Sequence, residues 1–186
     1  MSQQFSDMLA RALAVVKDAG EIIAEHHKKP RNIKYKGRID LVTETDVAVE
    51  EYLKKNLAGL CPGSTFMAEE SSGDAALGEA TWIIDPVDGT TNFAHGLPFV
   101  ATSVALWLQG RVVLGIVNAP LLNECFWATP GGGAFCNGNR IAVSATREME
   151  KALVATGFPY TVARDADSLT AQLNAVLKAA QGVRRY

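Results

Sequence analysis

Between positions 82 and 92 the chain reads Trp-Ile-Ile-Asp-Pro-Val-Asp-Gly-Thr-Thr-Asn. An apolar run delivers one acid, Asp85, and a proline stops the run. A second acid, Asp88, follows three residues after the first. A third, Glu69, ends the apolar run 64–68, with Glu70 and Ser71 directly behind it. Two carboxylates about 4 Å apart repel by roughly 4 kcal/mol at an effective dielectric near 20. Three converging charges would strain a domain of ordinary stability. Such acids stay apart in water, take up protons, or surround a cation. Hard oxygen donors suit Mg²⁺ or a similar hard cation rather than Zn²⁺. Magnesium takes its remaining ligands from water and phosphate oxygens, so phosphate chemistry is the natural partner.

The rest of the stretch supplies what such chemistry needs. Gly89 lets the backbone approach closely, and the amides of Thr90 and Thr91 open a helix. Helix N-terminal amides bind phosphate. No Ser/His/Asp or Cys/His arrangement stands out, so water activated by metal is the economical nucleophile. Thr90 would take or relay its proton if a second acid oriented the hydroxyl. Asp46 is the candidate: it lies on the apolar stripe of a helix, three residues before Val49 and seven before Leu53. The competing reading makes Asp46 a capping-box partner of Thr43 that matches the helix N-terminus. Between Leu57 and Gly110 there is no Lys or Arg, while Glu69, Glu70, Asp74, Glu79, Asp85 and Asp88 fall in that window. His95 lies there too and reads as a surface or capping residue.

The elements that must position these residues follow from periodicity. Phe5, Met8/Leu9, Ala12, Val15/Val16, Ala19 and Ile22/Ile23 predict an amphipathic helix over 6–27. The basic run 28–38 reads as a solvated loop or hairpin, or else as an arm that neutralises an anionic site. A second helix is predicted from 43 or 45 to 58. Strands at 64–68 and 81–84 would place Glu69 and Asp85 at one sheet edge if they lie side by side. Strands 101–108 and 112–118, joined at Gln109-Gly110, form a hairpin. Their nearly continuous apolarity predicts helices on both sheet faces. Strands at 124–128 and 140–144, with an Asn137-Gly138 turn, complete an antiparallel meander rather than a βαβ alternation. A charged segment, 146–151, marks a boundary, followed by a strand at 153–156 and a helix from 165 or 168 to 180. Two domains are therefore expected, 1–145 carrying the metal and phosphate chemistry and 146–186 beginning a second α/β lobe.

The bulk properties narrow the partners. A net charge of −2 argues against general electrostatic binding of nucleic acid. Three cysteines at unpatterned spacing read as buried thiols of a reducing compartment. The N-terminus has no basic n-region and no long apolar run, so neither a signal peptide nor a membrane span is expected, and the default location is cytoplasmic.

With these residues in view, the chain resembles the inositol monophosphatase family of Mg²⁺-dependent, lithium-sensitive phosphatases. The matching pieces, in order, are Asp40-Leu41-Val42-Thr43-Glu44-Thr45-Asp46, Glu69-Glu70-Ser71, positions 82–100, and Gly133-Ala134-Phe135-Cys136-Asn137-Gly138. The resemblance implies an α/β chain of the α+β type, a layered αβαβα sandwich with a large, mainly antiparallel sheet. It implies that Glu69, Asp85 and the Val87 carbonyl hold a first metal and that Asp85 and Asp88 hold a second. Glu69, with Glu70 in support, would reach a third through water, for two or three Mg²⁺ in a complete site. Val87, Asp88, Gly89 and Thr90 would bind the phosphate, and Thr90 with Asp46 would activate the attacking water. The implied substrate is inositol 1-phosphate or a related phosphorylated polyol or sugar, and the implied assembly is a homodimer. Family members also carry a Trp-Asp-x-x-Ala-type motif in a second lobe, and no Trp-Asp pair occurs here, so that lobe is expected to be incomplete. Two alternatives remain. One is a regulatory or interaction protein of the RNA-synthesis-complex type, for which the basic run 28–38 is the sole support. The other is a haloacid-dehalogenase-like phosphatase, against which Pro86 stands where the aspartyl nucleophile would be.

Overall fold

The computed structural model describes residues 3–29, 33–35, 41–72, 76–159 and 162–185. The chain falls into two compact units, Met1–Ile141 and Ala142–Tyr186. Most of the basic run and the Asp40 end of the first motif lie outside the described residues.

The first unit begins with the longest apolar stripe. α1 (Gln3–His27) buries Leu9, Ala12, Val16, Ala19, Gly20 and Ile23; helical spacing predicts all of these but Gly20, and the predicted Phe5, Met8, Val15 and Ile22 are half-buried against the same core. A short antiparallel pair follows, β1 (Ile33–Tyr35) and β2 (Leu41–Thr43). α2 (Glu44–Leu57) starts at a complete capping box, with Thr43 as N-cap and Asp46 as its partner. It buries Val49, Leu53 and Leu57 against α1 and the sheet.

Seven strands then form one sheet in chain order: β3 (Thr65–Ala68), β4 (Ala80–Asp88), β5 (Ala101–Leu108), β6 (Arg111–Ala119), β7 (Glu124–Thr129), β8 (Gly133–Cys136) and β9 (Asn139–Ile141). β3 pairs parallel with β4, and every later pair is antiparallel. A five-residue helix, α3 (Thr90–Ala94), interrupts the run after β4. The mixed architecture with a mainly antiparallel sheet is the one expected. β8 was not expected, and β4 does not end at Asp85: it continues through Pro86 to Asp88. Burial alternates along β5, with Thr102, Val104 and Leu106 inside and Ser103 and Ala105 half-buried. Continuous apolarity therefore does not give continuous burial here. The core lies on the α1/α2 face, around Trp82, Phe93, Leu106, Leu114 and Ile116.

The second unit holds a 3₁₀ turn at Met149–Lys151, β10 (Leu153–Ala155), α4 (Val162–Ala179) and β11 (Gly182–Arg184). β10 and β11 pair in parallel, which α4 makes possible by carrying the chain back. Among the described residues, no helix is long and apolar enough to cross a membrane.

Candidate active site

Two features of strand pairing bring the acids together. In the parallel pair, Ala68 lies opposite Ile84, so Glu69 and Asp85 leave the paired segment at the same level. The Glu69 N–H donates to the Ile84 carbonyl at 3.2 Å, which adds one more rung and seats Glu69 beside Asp85. On the other side of β4, Asp85 pairs with Ser103 and Asp88 with Ala101, with a break in register between them. Three steps on β4 thus oppose two on β5, which is a β-bulge. Residues three apart on a regular strand point to opposite faces. The extra residue returns Asp88 to the face of Asp85. Pro86 sits in the bulge, where its missing N–H leaves no rung unmade. The buried Thr102 hydroxyl donates to the Pro86 carbonyl at 2.9 Å. The two aspartates meet through a bulge inside a strand, not through a turn after a strand end.

The electrostatics follow from this crowding. Burial, then the charges of Glu69 and Asp88, a hydrogen bond shared with Glu69 and the more distant charge of Asp46 push the Asp85 carboxyl up to about 7 from 3.8. Asp85 Oδ1 is buried with no hydrogen-bond partner. A bare buried carboxylate oxygen beside other acids is costly, and a hard cation would satisfy the oxygen and the crowd together. The donor set therefore fits Mg²⁺. Among the described residues, no three Asp, Glu, His or Cys side chains close to metal-holding geometry. The structure draws Glu69 and Asp85 into a hydrogen bond, keeps Asp88 and Asp46 within electrostatic reach, and leaves Glu69 and Asp88 exposed. Glu70 lies in the turn after Glu69, with its N–H directed back to α2 rather than toward Asp85.

Asp46 makes both contacts weighed for it, one oxygen each. Its Oδ2 accepts from the Thr43 N–H at 2.9 Å and from the Thr43 hydroxyl at 2.5 Å. Its Oδ1 accepts from the Thr90 hydroxyl at 3.0 Å. The helix cap thus fixes the carboxylate that orients Thr90. The Thr90 hydroxyl also lies 3.0 Å from the Val87 carbonyl, so Thr90, Val87 and Asp46 form one hydrogen-bonded cluster. His26 Nδ1 lies 2.9 Å from the hydroxyl of Thr45, next to Asp46. Gly89 has φ +91°, and a Cβ there would fall 2.8 Å from the Phe99 carbonyl oxygen, so only glycine fits this approach. With five residues, α3 contributes little macrodipole. What it offers an anion is the amides of a first turn that have no intrahelical acceptor.

Two residues joined to this site, Glu50 and Lys54, escaped the sequence reading. Glu50, at 4% exposure, accepts from the Glu70 N–H at 2.9 Å and from the Ser71 hydroxyl. Lys54 Nζ lies 3.3 Å from Glu50 Oε1 and also contacts the Ser71 hydroxyl. The acid-rich window, which contains no Lys or Arg of its own, thus meets a cation from α2. The available signal was the helical spacing Asp46–Glu50–Lys54, four residues at each step. The interaction-protein alternative gains no support, since residues 30–32 and 36–38 of its basic run lie outside the described residues.

The profile of the inositol monophosphatase family matches residues 4–186. The chain is 40% identical to inositol monophosphatase 3 of Solanum lycopersicum, over 98% of this chain and 69% of that protein. It is 42% identical to the inositol monophosphatase of Dictyostelium discoideum, over 82% of this chain and 57% of that one. The crystal structure of the extragenic suppressor protein suhB from Bartonella henselae superposes with a TM-score of 0.87 at 32% identity, covering 98% of this chain and 70% of that one.

Proposed function

The chain belongs to the inositol monophosphatase family, and from that premise we propose that it hydrolyses the phosphomonoester of inositol 1-phosphate or a related polyol or sugar phosphate with Mg²⁺. Glu69, Asp85, Asp88 and the Val87 carbonyl would hold the metal, with Glu70 in support. Bound there, Mg²⁺ supplies Lewis-acid activation of water and neutralises phosphate charge. The backbone from Val87 to Thr90 receives the phosphate, with Gly89 giving the close approach. The Thr90 hydroxyl, oriented by Asp46 Oδ1, takes the proton of the attacking water as its own passes to Asp46. A homodimer, lithium sensitivity and a cytoplasmic location go with the same proposal.

The observation that carries this reading is that Asp85, with its unpartnered buried oxygen on the bulged strand β4, lies within electrostatic reach of Asp46, which holds Thr90 just beyond the end of that strand. The test is phosphate release from inositol 1-phosphate by the full-length protein. Release should require Mg²⁺ and be lost in Asp85→Asn. No release at saturating Mg²⁺ would sink the proposal.

A further inference from the structure

α2 reaches the site twice. Asp46 in its first turn holds Thr90, and Glu50, one turn later on the same face, reaches the turn 69–72. Glu50 is a buried anion in a helix whose neighbouring inward positions are Val49 and Leu53. Packing alone would favour an apolar residue there. Its carboxylate instead spends both oxygens on that turn and on Lys54: Oε2 accepts the Glu70 N–H at 2.9 Å, and Oε1 accepts the Ser71 hydroxyl and the Lys54 ammonium. The ends of the turn are fastened separately. The Glu69 N–H bonds to Ile84 O at 3.2 Å and the Ser72 N–H to Ala68 O at 3.0 Å, while the Ser72 hydroxyl accepts from the Ala68 N–H at 2.7 Å. Among the described residues, α2 holds the middle of the turn from outside it, through Glu50 and through Lys54, whose ammonium contacts both Glu50 and the Ser71 hydroxyl.

The turn needs such a hold because Glu69 is exposed and, once Asp85 gives up its proton to take a metal, faces a like charge. The hydrogen bond between the two would then be lost, and repulsion would swing Glu69 into solvent unless its backbone were pinned. We infer that Glu50 is the positioning residue for Glu69, so that α2 sets the spacing between the proton-handling side of the site and its metal-binding side. Glu50 then governs Mg²⁺ affinity rather than the chemical step. This rests on the reading of Glu69 as a metal ligand proposed above.

Full-length wild type, Glu50→Gln, Ser71→Ala and Val49→Ala are titrated with Mg²⁺ by calorimetry. Melting temperature and the Mg²⁺ dependence of phosphate release are measured alongside. Glu50→Gln should bind Mg²⁺ about tenfold more weakly, the scale of losing a group that orients a metal ligand, with kcat at saturating Mg²⁺ kept within about threefold. Ser71→Ala, exposed and without charge, should shift affinity in the same direction by less, with its melting temperature unchanged. Val49→Ala, a neighbour fully buried in the apolar core, should lower the melting temperature and leave Mg²⁺ affinity alone. Wild-type affinity in Glu50→Gln overturns the inference, as does an equal loss in Val49→Ala at matched stability. Should Glu50→Gln not fold, unchanged affinity in Ser71→Ala overturns it. Wild type that binds no Mg²⁺ overturns the proposed function and this inference together, whereas equal binding by wild type and Glu50→Gln overturns only the inference.

Discussion

Magnesium binding to this site should expel a proton at pH 6 and almost none at pH 8. Burial and the charges of Glu69 and Asp88 hold the Asp85 carboxyl at about 7 in the folded chain, and a metal takes it only as carboxylate. A group of that pKa is about 90% protonated at pH 6, half at pH 7 and about 10% at pH 8. Roughly 0.9, 0.5 and 0.1 protons should therefore leave per Mg²⁺ bound, and apparent affinity should be about tenfold weaker at pH 6 than at pH 8. Calorimetric titrations in two buffers of different ionisation enthalpy count those protons directly. The stability of the metal-free fold carries the same sign. A carboxyl raised above its unfolded value of 3.8 to about 7 stabilises the fold in acid and loses that contribution as pH climbs through this window. The melting temperature without metal should fall between pH 5 and pH 8, and Mg²⁺ should restore it. Glu69→Gln removes the largest charge acting on Asp85 and should move the whole transition to lower pH. Proton release of zero at pH 6 would refute the reasoning, because it would mean that Asp85 is already ionised among its neighbours.

Three further outcomes follow from named contacts. Thr90→Ala should lower kcat by about 10²- to 10⁴-fold, the usual scale of positioned proton transfer, with Mg²⁺ affinity nearly unchanged; an unaltered kcat in steady-state phosphate release would remove Thr90 from the proton path. Gly89→Ala forces a Cβ against the Phe99 carbonyl oxygen at positive φ and should cost about 1–3 kcal/mol, read as a lower urea midpoint; a wild-type midpoint would show that the turn yields freely. Thr102→Val leaves the Pro86 carbonyl without its buried donor and should cost about 1–3 kcal/mol while weakening Mg²⁺ binding, because the bulge aims Asp88; a stability loss with Mg²⁺ affinity intact would separate the bulge from the site.

Much of this was legible because local signals and tertiary structure agree. The stripe of α1, the Thr43–Asp46 capping box and the Gln109-Gly110 hairpin each rest on residues close in sequence. What was not legible depends on partners far along the chain. Proline ends strands in isolation, but here β5 accommodates it: Thr102, sixteen positions from Pro86, supplies the hydrogen bond that makes the bulge tenable. β8 is four residues beginning with glycine, too short for any periodicity, and exists because β7 and β9 pair with it. Glu50 shares a helix face with Asp46 by its four-residue spacing, but its partners at Glu70 and Ser71 lie about twenty residues on, so its role could not be read from the helix alone.

The places where local rules fail are the same places where the chemistry is proposed, and their pattern of satisfaction is informative. A proline inside a paired strand, a glycine at positive φ with a carbonyl against it, buried acids at 46 and 50 and a half-buried one at 85 would each weaken a fold that had no use for them. The Asp46 oxygens are met by Thr43 and Thr90, and the Glu50 oxygens by Glu70, Ser71 and Lys54. Pro86 is met by Thr102. Among the described residues, the buried carboxylate oxygen left without a hydrogen-bond partner is Asp85 Oδ1. It lies beside the two acids whose charges push Asp85 up most strongly. Asp46 and Glu50 are satisfied from within the chain, whereas this oxygen is left bare beside the exposed Glu69 and Asp88. An anion would add to the repulsion and water would leave the charge in place. A hard cation would relieve both the charge and the bare oxygen, and for that reason the unmet group supports the proposal that Glu69, Asp85 and Asp88 hold a metal.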